Sequence, residues 1–313
     1  MLKQITYSAP AKVILSGEHA VVYGKPALVS AINLELKFSI TSVVSSRTRF
    51  GNSSKMLKQV QHDNKTYEII YKIAQKVKEY LQKQKIKFIE RKFNFKINSK
   101  IPIGRGLGSS AALSTAAVAA FLKLYTGQEF EKEIINNLAY EMEKYYHKNP
   151  SGVDNTASCF GGLVYYRKEF EFLKNISALN FKIPKKIEDN LYLIDSGQPA
   201  ENTAYMVHDI VGGKFNKSPN FVEEVLDDIE KTTKRMVVSL IKSDIEFFQK
   251  TLFDNQILLD MLGVVSKKTK TLLKKLEPLG VGKITGAGGQ RSGSGFVLFF
   301  ANKKKDLEIY LKK

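Results

Sequence analysis

The sequence predicts a mixed α/β protein with two domains, and three observations support this fold class. The chain has 313 residues, which exceeds the usual span of a single hydrophobic core. Apolar residues make up 43% of it, which is enough to fill two cores. Segments with alternating apolar residues are interspersed with segments in which apolar residues recur at helical spacing. Two domains of roughly 130 to 180 residues are therefore expected.

The N-terminal part of the chain predicts a sheet that continues through three segments. Short apolar strands are expected at Lys12 to Leu15 and at Ala27 to Ile32, with a turn-rich connection between them. Leu34 to Val44 alternates between apolar and polar residues and continues the sheet. The polar stretch Ser45 to Asn64 shows neither the helical nor the strand spacing of apolar residues, so a long loop is expected there.

The next segments alternate between helical and strand periodicity. Gly127 suits the C-terminal end of a helix, and Asn149-Pro150 disfavours the continuation of another. The elements expected on these grounds are a helix from Ile70 to Leu81, a strand from Phe93 to Ile97, an alanine-rich helix ending near Tyr125, and a helix from about Glu131 to His147.

The C-terminal part predicts a second sheet together with amphipathic helices. Gly161 to Tyr166 returns to a strand pattern, and the charged, irregular segment Lys168 to Asp189 is the candidate domain boundary. Leu191 to Ile194 is strand-like. Two or three long amphipathic helices are expected between Asn202 and Leu276. Gly282 to Phe300 then predicts a strand, a glycine-rich loop and a second strand.

The net charge of +18 raises the possibility of nucleic acid or an anionic membrane as a partner. The excess is mostly dispersed lysine, whereas nucleic-acid surfaces favour arginine with interleaved aromatic residues, so neither partner is expected as a main one. The sequence shows no targeting pattern and no membrane-spanning apolar run, and a cytoplasmic location is expected. Cys159 is the only cysteine, which excludes an internal disulfide and a zinc site of several thiolates.

The segment Pro102 to Ala112 is a candidate phosphate-binding site. It contains three glycines within five residues, then two serines, then a helix. Glycine lets backbone N–H groups approach an anion closely, and the free N–H groups and the dipole at a helix start favour negative charge. Neither the Walker pattern nor a dinucleotide fingerprint is present.

Three ordered motifs resemble those of the GHMP kinase superfamily, which includes galactokinases, homoserine kinases, mevalonate kinases and phosphomevalonate kinases. The central motif is the glycine-rich segment, the first begins at Ser8-Ala-Pro-Ala-Lys, and the third is Lys283-Ile-Thr-Gly-Ala-Gly-Gly. The resemblance implies an α/β (α+β) two-domain fold. A ribosomal-S5-domain-2-like domain, residues 1–187, would precede a ferredoxin-like α/β domain, residues 188–313, with the active site between them.

Two segments are most similar to the mevalonate kinases of that superfamily, namely Gly17-Glu-His-Ala-Val-Val-Tyr-Gly-Lys-Pro-Ala and Asn149-Pro-Ser-Gly-Val-Asp-Asn. The resemblance makes Asp154 the catalytic carboxylate that faces the substrate hydroxyl; Ser151 could otherwise cap a helix that begins there. It makes Lys12 the catalytic lysine, which would stabilise charge on the transferred phosphoryl group and favour the ionised carboxylate.

The resemblance also implies ATP and Mg²⁺. Mg²⁺ prefers oxygen ligands and normally keeps several waters and phosphate oxygens, so one hydroxyl and one carboxylate suffice. The implied ligands are Ser110 and Glu143, with Glu141 as the alternative carboxylate and helix capping as an alternative role for Ser109 and Ser110. The residues expected to bind ATP are Pro102, Gly104, Gly106, Leu107, Gly108, Ser109, Ser110 and Ala111.

The implied second substrate is mevalonate, with Glu18, His19 and Thr203 as its binding residues, Glu18 and His19 also supporting the lysine. Thr203 could instead be a helix cap. The third motif is longer than usual by Gln290-Arg-Ser, so Arg291 could either add a contact or face solvent. Rival functions are another small-molecule kinase of the superfamily and a basic binding protein on a decayed kinase scaffold. A homodimer is left open.

Overall fold

A five-stranded sheet forms the base of the N-terminal half in the computed structural model, which describes residues 4–43, 64–146, 150–171 and 173–312. Strand β2 is central: one edge pairs with β1, and the other pairs with β4 near its start and with β3 near its end. All of these pairs are antiparallel. The strands are β1 (Ile5–Ser16), β2 (Pro26–Ser42), β3 (Phe93–Ser99), β4 (Leu163–Phe170) and β5 (Leu173–Ala178).

The strands at the N-terminus are longer than the sequence predicts. The strand expected at Lys12 to Leu15 is the end of β1, and the segments Ala27 to Ile32 and Leu34 to Val44 form one continuous strand, β2. Strand β2 pairs with β1 along one edge and with β3 and β4 along the other, and these ladders supply hydrogen bonds to residues whose own apolar alternation is weak. The loop predicted for Ser45 to Asn64 lies outside the described residues except for Asn64, as do His147 and Asn149.

Four helices pack with this sheet, and the alanine-rich helix α2 lies at their centre. It contacts β1, β2 and the three other helices, and 13 of its 18 residues are buried. Small side chains allow this close approach on every face, which explains why the helix is not amphipathic. Gly127 ends it in the left-handed conformation, as predicted. These helices are α1 (Asn64–Lys83), α2 (Ser109–Thr126), α3 (Lys132–Tyr146) and α4 (Val153–Phe160).

The C-terminal half contains an antiparallel three-stranded sheet in the order β6-β8-β7, and the strand, loop and strand predicted at its end are confirmed. Long helices α8, α9 and α10 confirm the predicted amphipathic segments. The strands are β6 (Leu191–Asp195), β7 (Gly280–Ile284) and β8 (Phe296–Ala301). The helices are α5 (Lys185–Glu188), α6 (Thr203–Tyr205), α7 (Gly213–Lys217), α8 (Pro219–Lys242), α9 (Ile245–Leu262), α10 (Lys267–Leu276) and α11 (Lys304–Leu311), with a π-helical turn at Met206–Gly212 and 3₁₀ turns at Ala20–Tyr23 and Glu277–Leu279.

The prediction of an irregular segment from Lys168 to Asp189 is wrong. Strand β4 continues to Phe170, β5 follows it as an edge strand, and α5 ends at Glu188. The exposed positions of β5 carry Leu173, Asn175 and Ser177, so its sequence lacks the apolar alternation of a half-buried strand. The boundary between residues 187 and 188 stays a prediction.

The two halves share buried apolar contacts. Phe248 and Leu252 of α9 and Leu298 of β8 belong to the same core cluster as Val13 and Leu28 of the first sheet. A second cluster lies between the small sheet and helices α8 to α10. No helix in the described ranges is long and apolar enough to cross a membrane. The shared core holds β1 against the loop that follows β7, and this contact forms the site.

Candidate active site

Lys12 and Asp154 form an ion pair at the junction of β1 and α4. The distance from Nζ of Lys12 to Oδ1 of Asp154 is 2.9 Å. The lysine side chain is 2% exposed, whereas that of the aspartate is 34% exposed, so the carboxylate faces a cavity. The pair therefore joins a buried cation to a carboxylate that a substrate can reach.

The segment before Asp154 is held rigidly. The hydroxyl of Tyr166 donates to the Ser151 carbonyl at 2.7 Å, and that of Tyr140 donates to the Pro150 carbonyl at 3.2 Å. Gly152 precedes the helix with φ of 86°, and a Cβ there would lie 2.5 Å from the Tyr166 hydroxyl. The Ser151 hydroxyl accepts the N–H of Val153 at 3.3 Å. Asp154 is thus placed in the first turn of α4 without serving as its cap.

The glycine-rich loop wraps around Lys12. Gly104, Gly106 and Gly108 all have positive φ, between 71° and 80°, and Leu107 accepts the backbone N–H of Lys12 at 3.1 Å. Helix α2 begins directly after the loop, so its unpaired N–H groups and its positive dipole end face the adjoining cavity.

Neither serine at the start of α2 caps it in the way that the sequence allowed. The N-cap residue is Gly108, and this cap has no side-chain hydrogen bond. Ser109 and Ser110 are the first two residues of the helix and line the cavity next to the loop. Their positions are compatible with phosphate and metal contacts.

A substitution at Gly108 tests the contact between the loop and the lysine. A Cβ at Gly108 would lie 3.1 Å from Cγ and 3.3 Å from Cε of Lys12, at a φ of 75°. We expect Gly108→Ala to lower kcat/KM for ATP about 10-fold, because displacing a catalytic group by a fraction of an ångström is costly.

Gly127→Ala is the matched control for this substitution. Its φ is 76°, and a Cβ there would meet nothing within 4 Å. Both variants should lose about 1 kcal/mol of folding free energy in thermal or urea unfolding, since the backbone strain is the same. An equal loss of kcat/KM in both would show that strain, and not contact with Lys12, is responsible.

Glu143 lies on α3 and points at the same pair. It is 4% exposed and shares a side-chain hydrogen bond with Ser110. Burial, with repulsion from Asp154, raises the pKa of Glu143 to about 8, although Ser110 and Lys12 oppose this shift. Glu141, the alternative, is more exposed and forms an ion pair with Lys144 at 2.8 Å. The geometry favours Glu143 over Glu141 as the carboxylate of the site.

These residues fit a magnesium ion that also uses phosphate oxygens. A buried carboxyl that repels a neighbouring aspartate is a position where a divalent cation would be stabilising, and Ser110 supplies a hydroxyl oxygen beside it. In the part of the chain that the structure describes, no group of three or more His, Cys, Asp or Glu could hold a metal by itself. One hydroxyl and one carboxylate suit an ion that takes its remaining ligands from phosphate oxygens and water.

Two cavities meet at this pair. The first is lined by Lys12, Glu18, His19 and Glu143, together with apolar side chains. The second is lined by the glycine-rich loop, the start of α2 and residues 198–203. Asp154, Gly106, Thr203 and Ala287 line both. A group held in one cavity can therefore meet a group held in the other at a boundary that includes Asp154.

His19 is a neutral hydrogen-bonding group in the first cavity. Burial lowers its pKa to about 4, although a hydrogen bond to the Ala287 carbonyl opposes the shift. The distance from Nε2 to that carbonyl oxygen is 3.1 Å, which makes Nε2 the protonated nitrogen. Nδ1 is buried and has no hydrogen-bond partner among the described residues. Nδ1 is therefore the acceptor nitrogen of this neutral ring.

Glu18 is held by a partner that the sequence interpretation missed. Its side chain is 1% exposed and pairs with Lys283 of β7, and Nδ2 of Asn255 donates to its Oε2 at 3.2 Å. The signal was present, because Lys283 opens the third motif as a lone charge in an apolar strand. Glu18 thus lines the cavity with its carboxylate bound to Lys283 and Asn255.

Thr203 lies at the entrance shared by the two cavities. Helix α6 is capped by Asn202, whose Oδ1 accepts the N–H of Tyr205 at 2.8 Å, so Thr203 is not the cap. It is the first residue of that helix and lines both cavities.

The extended loop of the third motif folds onto residues 198–201. The carboxylate of Glu201 accepts the backbone N–H groups of Gln290 and Arg291 at 3.3 and 3.1 Å, and Ser292 donates to the Gln198 carbonyl at 2.7 Å. The Arg291 side chain is 74% exposed and its Nε lies 3.7 Å from Glu201. The extra residues therefore hold the loop through backbone N–H groups and the Ser292 hydroxyl, and the arginine faces solvent.

The chain is similar to proteins of known activity. Residues 68–162 match the family model described as the GHMP kinases N terminal domain. The mevalonate kinase of Pyrococcus abyssi is 33% identical, with 92% of this chain and 87% of that protein aligned, and that of Pyrococcus horikoshii is 35% identical over the same shares. The structure of L. major mevalonate kinase, a complex with R-mevalonate, has a TM-score of 0.73 at 22% identity and covers 100% of this chain and 93% of that one. At this identity the similarity shows the fold alone.

Proposed function

Because this chain belongs to the mevalonate kinases of the GHMP kinase family and is an ATP-dependent kinase, we propose that it transfers the γ-phosphoryl group of ATP to the primary hydroxyl of mevalonate. The products are 5-phosphomevalonate and ADP. The observation that carries this proposal is the meeting of the two cavities at the Lys12–Asp154 pair.

Each cavity suits one of the substrates. The second cavity has the glycine-rich loop and a helix N-terminus, which favour phosphate groups. The first combines Lys12, the neutral His19 and apolar side chains such as Val21 and Val207, which suits a small hydroxy acid with a methyl group. ATP in the second cavity and mevalonate in the first would bring the γ-phosphoryl group and the hydroxyl together beside Asp154.

The transfer follows from these positions. Asp154 accepts the proton of the substrate hydroxyl, the oxygen forms a bond to the γ-phosphorus, and the bond from that phosphorus to the bridging oxygen of ADP breaks. Lys12 stabilises the negative charge that spreads over the phosphoryl oxygens, and because it is buried its charge acts in a low dielectric. Mg²⁺, when bound, would neutralise charge on the phosphates, with Ser110 and Glu143 as its protein ligands.

A substrate panel tests the proposed function. ATP-dependent release of ADP should be measured with mevalonate, phosphomevalonate, homoserine and galactose at equal concentrations. We expect kcat/KM to be highest for mevalonate by at least 10-fold, because discrimination rests on groups that a wrong substrate leaves unpaired. If kcat/KM is instead highest for phosphomevalonate or homoserine, the protein is still a kinase but mevalonate is not its substrate.

The magnesium ligands are tested by titrating the metal at fixed ATP. Ser110→Ala and Glu143→Gln should each raise the magnesium concentration needed for half-maximal rate by about 10-fold or more, because each removes an oxygen ligand or its charge. Glu141→Gln is the control, since Glu141 pairs with Lys144 at the surface. A larger effect for Glu141→Gln than for Glu143→Gln would transfer the ligand role to Glu141.

A further inference from the structure

Lys283 is a buried cation that the proposed reaction does not use. It lies on β7 with no exposed surface, and its Nζ forms an ion pair with Oε1 of Glu18. The same nitrogen donates to the backbone carbonyl of Ile14 at 3.2 Å. Glu18 is almost as deeply buried and accepts from Asn255 with its other oxygen. All of the contacts of this lysine are therefore inside the protein.

A buried ion pair is stable only where hydrogen bonds satisfy the polar atoms of both partners. Burial lowers the pKa of Lys283, and the Glu18 carboxylate opposes that shift, whereas the nearby charge of Lys12 adds to it. Buried ion pairs recover their desolvation cost only when hydrogen bonds satisfy the remaining atoms, and removing one partner leaves an uncompensated charge. The carboxylate of Glu18 therefore depends on Lys283 for its neutralisation.

The pair also connects the two sheets at the catalytic strand. Ile14 lies two residues after Lys12 on β1. Its N–H donates to Oγ1 of Thr285 at 2.9 Å, and its carbonyl accepts from Lys283 and from Thr285, each at 3.2 Å. The start of the third motif is thus fastened to the strand that carries the catalytic lysine, on the wall of the first cavity.

Two ion pairs lie in this region, and their pairing decides which charges are available for the reaction. Lys283 pairs with Glu18, and Lys12 pairs with Asp154. Without Lys283, the Glu18 carboxylate would be an unpaired negative charge on the wall of the cavity that Lys12 also lines. There it would compete for the charge of Lys12 and repel the phosphoryl group. Both effects oppose transfer, because catalysis depends on a cation fixed where negative charge develops.

We propose that Lys283 is a positioning residue for phosphoryl transfer: it holds and neutralises Glu18, and so leaves Lys12 directed at Asp154 and at the transferred group. This inference rests on the proposed function. It assigns a role to the first residue of the third motif, which touches neither cavity and acts through Glu18.

The test is a double-mutant cycle of Lys283→Met and Glu18→Gln, with steady-state kinetics and nucleotide binding measured for each protein. Lys283→Met should lower kcat about 10- to 100-fold and leave the Kd of ATP within about 3-fold, because the second cavity is unchanged. In the Glu18→Gln background, the same substitution should lower kcat by less than about 3-fold, since no carboxylate remains to be neutralised. Lys274→Met, at an exposed position of α10, is the control and should match the wild type.

Three outcomes would overturn the inference: an unchanged kcat in Lys283→Met, an equal loss in both backgrounds, or a loss of ATP binding in parallel with kcat. Lys283→Met alone could fail to fold, because it leaves Glu18 as an uncompensated buried charge. The double variant lacks both charges, so in that case its kcat is compared with that of Glu18→Gln. Equal kcat in those two proteins supports action through Glu18, and a further 10-fold loss contradicts it. The kcat ratios of variant to wild type are measured with whichever alcohol the wild type phosphorylates, so an error in the proposed substrate is distinguished from an error in the role of Lys283. If the wild type phosphorylates none of the alcohols, both proposals are overturned.

Discussion

Asp154→Asn is expected to lower kcat by about 10² to 10³ while ATP still binds, because the amide cannot accept the hydroxyl proton and no longer holds Lys12 by its charge. The substitution preserves shape and removes one charge of a pair whose lysine is 2% exposed and whose aspartate is 34% exposed. The measurement is steady-state turnover of ATP and mevalonate, with nucleotide affinity determined separately.

Folding must be checked in the same variant, because Lys12 loses its ion-pair partner. Circular dichroism and thermal unfolding separate a lower population of folded protein from a lower rate. Asp228→Asn is the matched control, since Asp228 forms an ion pair with Lys231 at 2.8 Å on the exposed face of α8. A normal kcat in Asp154→Asn would remove this residue from the mechanism.

Lys12→Met should reduce phosphoryl transfer by about 10³, the upper range for the loss of one group that stabilises developing charge. The methionine keeps most of the buried aliphatic contact with Gly108 but supplies no cation. Turnover measured at saturating ATP and mevalonate reports this loss in kcat, and Lys231→Met on the surface of α8 is its control.

The same variant distinguishes the kinase from a nucleic-acid-binding protein. A chain with a net charge of +18 should bind DNA or RNA weakly, with a Kd no tighter than about 10⁻⁶ M near physiological salt. Lys12 is buried, so its replacement should leave this background and its salt dependence unchanged. Nanomolar, sequence-selective binding together with no phosphorylation of any mevalonate-like alcohol would favour the binding-protein alternative.

Local features of the chain were predictable because local interactions determine them. The glycines of the phosphate loop adopt positive φ as their residue type permits, and the alanine-rich segment after them forms α2, which Gly127 ends. The short motifs around Lys12, Asp154 and Lys283 could be recognised in the sequence because each consists of contiguous residues. Edge strand β5 was missed, because it is stabilised by pairing with β4 and its sequence lacks the alternation of a half-buried strand.

The sequence by itself determined the motifs and their order along the chain, and these were enough to indicate a kinase of this family. Only the tertiary structure decided which charges meet and which are removed from water. It buried Glu143 and left Glu141 partly exposed two residues away, it made His19 neutral, and it paired Glu18 with a lysine 265 residues further along the chain. The physical reason is that burial and Coulomb energy depend on distance in space and on solvent exclusion, and neither follows from spacing along the sequence.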